Sequence, residues 1–204
     1  MLELLTGTGL ATAAGLNAYI PLMVVGLLAR YTNLITLPGP WQWLGNGWVL
    51  LILAVLLAIE FVADKIPAVD SVNDVVQTFV RPTAGGMAFA AGSGSETVTV
   101  SNPADLFTQK MWIPIVIGVL ISLTVHGTKA AARPALNLAT VGVAAPVVST
   151  IEDTASIGLS LVAIIIPFLV ILGVGLLILL AVVAARKRRE RRERRAAARV
   201  LSRK

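Results

Sequence analysis

The residues of this chain with the means to do chemistry are charged ones set inside apolar sequence. Glu60 and Asp64 stand four apart, which puts them on one helix face, and Asp70 and Asp74 repeat that spacing. Glu152 and Asp153 complete six carboxylates at the ends of apolar segments. In a partly desolvated cavity such groups carry protons. Several of their oxygens together also suit a hard cation, although no contiguous metal-binding loop spacing is present. The plainer role for the same residues is interfacial, as helix caps at apolar segment ends. Lys65, Arg81, Lys129 and Arg133 supply the opposite sign: buried acid–base pairing lowers their cost, and an Arg flanked by Pro and Gly suits a phosphate or carboxylate. Against this, Lys65 and Lys129 have the stem length to snorkel from span ends. His126, one turn before Lys129, suits either a proton relay or a hydrogen-bonded helix end. These eleven residues form the expected polar pathway.

The elements that position them are those of a membrane protein. The 204 residues have a mean hydropathy of +0.84 and are 14% charged, outside the range of soluble domains. There is no cysteine and one histidine, which excludes disulfides and thiolate chemistry and argues against zinc. No nucleophile–base pair or metal signature is visible, so the expectation is a non-enzymatic protein with no cofactor and no metal. A phosphate-loop reading of "GTGLATAAG" fails because no lysine follows and no strand precedes it; its small residues suit close helix packing.

A hydrocarbon core about 30 Å thick takes about 20 apolar residues per helix. Gly9–Ala29, Gly47–Ala63, Met111–Val125 and Ile157–Ala185 are the expected spans. Val72–Gly92, interrupted by "RPTAGG", and Pro134–Ile151 are each expected to be Pro/Gly-broken, crossing as a kinked helix or re-entering on one side. "YTNLITLPGPWQWLGNGW" reads as an interfacial loop carrying three tryptophans, and "GSGSETVTVSNPADLFTQ" as a solvated loop with a short extended piece at Glu96–Val100. Displacing the chain by 64 places Lys65 on Lys129, Asn73 on Asn137 and Pro82 on Pro146, after apolar spans that also superpose. The repeated K-x7-N-x8-P pattern suggests a duplicated unit of two segments, and paired discontinuous helices point to a transport site near the midplane.

The fold class expected is therefore an all-α membrane protein with about six membrane-embedded segments over residues 1–185 and a basic tail over 186–204. From Arg186 the tail holds 11 of the 17 Lys and Arg residues, with two acids. That charge predicts cytoplasmic termini in an inner (plasma) membrane and contact with anionic lipid; nucleic-acid contact would be sequence-blind. The N-terminus lacks a basic leader and reads as retained. A homo-oligomer is compatible with this reading.

"GLNAYIPLMVVGLLAR", "EFVADKIPAVDSVNDVVQTFVRPTAGG", "VHGTKAAARPALN" and "APVVSTIEDTASIGLSLVAIIIP", in that order, resemble the bacterial membrane-protein family DUF4126 over roughly Leu4 to Leu180. The resemblance implies membrane location and no particular activity. The polar insert around Glu96–Asp105 and the basic tail depart from the family pattern. For function, the residues support a small carrier or channel-like protein for a polar solute, ion or lipid headgroup. The alternative is a non-transporting scaffold or assembly factor that holds partners through its tail.

Overall fold

A computed structural model describes residues 2–94, 112–140 and 143–176, with helical positions 178, 179, 182, 183 and 186 beyond them; the side chains at 67, 68, 70, 71 and 135–137 lie outside the description. Every regular element among the described residues is helical. They run α1 (Leu2–Leu16), α2 (Tyr19–Tyr31), a 3-10 turn at Gly39–Gly45, α3 (Gly47–Ala63), α4 (Pro67–Ser93), α5 (Trp112–Thr140) and α6 (Ala145–Ile165). The chain divides into two compact units, Met1–Val170 and Ile171–Lys204. In the second, residues 171–176 are helical and Ile171, Leu172, Leu176, Ile178 and Leu179 are exposed.

Burial in the first unit is inverted relative to a water-soluble fold. Leu51, Ile52, Val55, Ile59 and Val62 of α3 are exposed, while Glu60 and Asp64 beside them are buried. Phe79 of α4 is 76% exposed and Arg81, two residues on, is 0% exposed. Only an apolar solvent makes that distribution favourable, and the helices therefore mark a membrane-embedded protein. By length and composition α5 and α6 are each able to cross a bilayer, and the turn at Gly39–Gly45 with α3, bent by 65°, makes a third candidate span.

Local sequence explains the helix ends. Asn46 accepts from the Trp48 amide at 2.9 Å and starts α3. Pro67 opens α4 at a position where its missing N–H costs nothing, and Pro146 does the same for α6. Pro167 follows the end of α6 at Ile165.

The structure departs from the sequence expectations in where the breaks fall. Gly9–Ala29 is not one continuous helix: α1 ends at Leu16 and α2 begins at Tyr19. Conversely, Val72–Gly92 is not broken, because α4 passes through Pro82. The small residues after that proline serve packing. A Cβ on Gly85 would fall 2.8 Å from the Ser122 hydroxyl, and one on Gly86 3.0 Å from the Ile115 carbonyl, so the pair lets α5 lie against the α4 backbone. Ser122 Oγ donates to the Arg81 carbonyl at 2.7 Å and ties α5 to α4 at the residue before the proline. Pro134 likewise lies inside α5, which lengthens the expected Met111–Val125 span to Trp112–Thr140. The turn in the expected Pro134–Ile151 segment comes at Val143–Ala144, and the last expected span, Ile157–Ala185, begins earlier, at Ala145, and is interrupted after Ile165.

The two copies of the K-x7-N-x8-P pattern occupy different local structure. Lys65 lies in the turn between α3 and α4, whereas Lys129 is inside α5. Pro82 is in a helix interior and Pro146 at a helix start. The extended piece expected at Glu96–Val100 and the tail beyond Arg186 lie outside the described residues.

Candidate functional site

The α1–α2 break is where the buried charges gather. Asn17 holds the break open: its side-chain oxygen accepts from the amides of Tyr19 at 3.0 Å and Ile20 at 3.2 Å, capping α2. Its Nδ2 donates to Asp153 Oδ1 at 3.0 Å. Because α1 ends here, the carbonyls of Gly15 and Leu16 lack helical partners and carry the negative end of the helix dipole, while Ala13 still receives the Asn17 amide at 3.0 Å. Arg81 Nη1 donates to the Gly15 carbonyl at 3.3 Å and Lys129 Nζ to that of Leu16 at 3.2 Å. Ser156 Oγ donates to the Ala13 carbonyl at 3.0 Å. Two cations and a hydroxyl from α4, α5 and α6 thus meet one buried helix end.

Around them runs a network of three cations and three carboxylates. Arg81 Nη2 pairs with Glu60 Oε1 at 2.7 Å and approaches Asp64 Oδ2 at 3.7 Å. The same Asp64 oxygen is 3.6 Å from Lys129 Nζ and 3.4 Å from Arg133 Nη2. Glu152 Oε2 receives Arg133 at 2.6 Å and Lys129 at 3.0 Å. Asn73 Nδ2 donates to the other Asp64 oxygen at 2.8 Å. Asp64 is therefore the hub, touched from α4 and α5 while it closes α3. Glu152 is the most open of the six, with a side chain 15% exposed, and gives the network its nearest edge. Dispersed partners of this kind meet the cost of burying charge only when each group keeps several contacts.

Of the eleven residues expected to line a polar pathway, Glu60, Asp64, Arg81, Lys129, Arg133 and Glu152 form this one network. Asp153 is held instead by Asn17 at the α1–α2 break. His126 is buried, with Nε2 3.2 Å from Thr78 Oγ1. Asp74 is half-buried one turn from Thr78, whose hydroxyl donates to its carbonyl at 2.8 Å. Lys65 stands apart: Nζ donates to the Phe61 carbonyl at 3.2 Å and rests over that ring, so it folds back on its own helix end and joins no carboxylate among the described residues. The Asp70 side chain lies outside the described residues. No group of three or more metal-ligating His, Cys, Asp or Glu side chains occurs among the described residues.

Sequence reasoning missed Asn17, the residue that organises the site. Its signal was in "GLNAYIP": an Asn four residues before a Pro, inside an apolar run, is an N-cap with a helix-opening proline. The serines of α6 were missed as well: Ser149, Ser156 and Ser160 are buried on that helix with Asp153, which the sequence had singled out. An apolar surface groove on the other side of α6, lined by Pro146, Val147, Thr150, Ile151, Thr154 and Ala155, touches none of these charges.

No curated protein and no solved structure matches the chain. One family does, described as Domain of unknown function (DUF4126) and matching residues 4–187, a stretch that contains the broken helix, all six network charges and Asp153; the chain belongs to that family.

Proposed function

We propose that this membrane protein is a non-enzymatic carrier for a polar solute, ion or lipid headgroup, whose path follows the buried charges beside the α1–α2 break. The observation that carries the reading is the sharing of partners at the hub. Asp64 Oδ2 is within 4 Å of Arg81, Lys129 and Arg133, and Glu152 Oε2 serves two of the same cations. A charged solute entering at the Glu152 edge displaces one arm of such a network while every displaced group keeps a second partner, so exchange avoids an isolated buried charge. The interrupted end of α1 among these charges supports the same reading, since half-helix ends are where carriers hold ions and charged substrate groups. The wider architecture belongs to this proposal: six membrane-embedded segments built on a duplicated two-segment unit, both termini in the cytoplasm of an inner membrane, anionic lipid at the basic tail, self-association within the bilayer, and no cofactor. A scaffold role draws on one different observation, the eleven Lys and Arg residues from Arg186 onward.

Reconstitution into liposomes with a panel of cations, phosphates, carboxylates and labelled lipids tests the carrier. The expected result is flux of one solute class well above protein-free liposomes, reduced to background by Asp64→Asn in protein that remains monodisperse. Absence of flux across the panel, or full flux in Asp64→Asn, refutes it.

A further inference from the structure

Asp153 is a buried carboxylate outside the network; Asp74, half-buried on α4, is another with an unpartnered oxygen. The three cations and three carboxylates around Asp64 balance one another, but Asp153, 8% exposed, makes no ion pair among the described residues. Asn17 satisfies Oδ1, while Oδ2 is buried with no hydrogen-bond partner. One turn earlier on the same buried face of α6, Ser149 is 0% exposed and its hydroxyl also has no partner. Serine in a membrane helix ordinarily bonds back to its own backbone, as Ser160 does to the Ser156 carbonyl at 2.7 Å. Two buried oxygens on one helix face, one of them charged, left without donors is a costly arrangement unless a ligand completes it.

The chemistry of that ligand follows from the donors. Both unpartnered atoms are oxygens, which suits a hard cation. Asp153 is the one carboxylate whose unpartnered oxygen lies on this face of α6, which suits a single positive charge. The site also lies beside the C-terminal end of α1, whose dipole favours a cation, and Ser156 ties that end to α6 through the Ala13 carbonyl. We propose that Asp153 Oδ2 and Ser149 Oγ bind a monovalent metal cation, Na+, at the α1–α2 break. The bound ion neutralises Asp153 and, through Asn17 on its other oxygen, holds the start of α2. As a coupling-ion site this rests on the carrier reading; as a binding site it stands on the geometry alone.

The experiment is thermal unfolding of the full-length protein in detergent, titrated with NaCl against choline chloride at fixed ionic strength and at two pH values. Binding to the folded state raises the midpoint as the ion exceeds its dissociation constant. Expected is a saturable rise with Na+ and none with choline, a several-fold weaker apparent affinity in Ser149→Ala, and no Na+ response in Asp153→Asn. Ser149→Ala keeps the test open if Asp153→Asn fails to fold, because it removes one hydroxyl only. Equal curves in Na+ and choline overturn the proposal, as does a midpoint that responds to pH and not to Na+, which assigns the site to a proton. An Na+ response that Ser149→Ala leaves unchanged overturns it too. A saturable Na+ response in a protein that moves no solute leaves the site standing and removes the carrier; flux without that response does the reverse.

Discussion

Replacing Arg81 by Met tests whether the charge network holds the helices together. Arg81 is fully buried, and its pair with Glu60 at 2.7 Å is the only ion pair of Glu60 among the described residues. Met preserves much of the side-chain volume, so the loss is chiefly of charge. It leaves the Glu60 carboxylate, 1% exposed, without a counter-charge and frees the Gly15 carbonyl of a donor. Breaking a buried pair from one side costs about 3–5 kcal/mol. Glu60→Gln is milder: Arg81 keeps Asp64 at 3.7 Å and Gly15 at 3.3 Å, and the amide oxygen still accepts, for a loss of about 1–2 kcal/mol. In the double variant neither residue strands the other, so the two losses fall short of additivity by about 2 kcal/mol, within the range of directly contacting residues. Denaturant unfolding of all four proteins in micelles measures that coupling. A value under about 0.5 kcal/mol, the additivity of residues that do not interact, refutes the reasoning.

Two further outcomes follow from packing and burial. Gly118→Ala places a methyl 2.5 Å from Phe89 Cβ and is expected to destabilise by about 1–3 kcal/mol, whereas Gly127→Ala, on the same helix with nothing within 4 Å, is neutral or stabilising by up to about 1 kcal/mol; unfolding midpoints of the two variants check the contrast. In this cysteine-free chain a membrane-impermeant thiol reagent is expected to reach Lys65→Cys from the cytoplasmic side only and Lys129→Cys, 6% exposed, from neither; labelling of position 129 from outside intact cells contradicts both its burial and the six-segment topology.

What was legible in the sequence was the solvent and the charges, because both are local. Gly47–Ala63 has the composition of a span and forms α3 over those residues. Glu60, Asp64, Arg81, Lys129, Arg133 and Glu152 attract notice because charge in apolar sequence requires an explanation, and they do converge. Their pairing was not legible: Lys65 and Lys129 occupy matching places in a repeated pattern, yet one bends back over Phe61 and the other reaches Asp64 and Glu152. That difference is set by which helix continues past the lysine, a tertiary outcome. Pro82 left two readings open, a kinked helix and a re-entrant turn, and the continuous α4 agrees with the first. Gly85–Gly86 permit α5 to lie close against the backbone there, so protein and not water surrounds it and the helix persists. Asn17 went unnoticed because one polar residue hardly changes the hydropathy of a long run, although it changes the hydrogen bonding entirely.

The order of the ion pairs along the chain bears on how the protein enters the membrane. Glu60 and Arg81 are 21 residues apart on successive helices, and Arg133 and Glu152 are 19 apart on the next two. An arginine delivered alone to the bilayer centre costs about 2.5–3.5 kcal/mol on insertion scales. In the six-segment arrangement proposed above, α3 entering with α4 and α5 with α6 would bring each arginine to its carboxylate within the same insertion event, so that neither pair would wait in lipid with that charge exposed. Asp64, on α3, is reached by Arg81 of α4 and by Lys129 and Arg133 of α5, so its three contacts are complete only when the two helix pairs have docked.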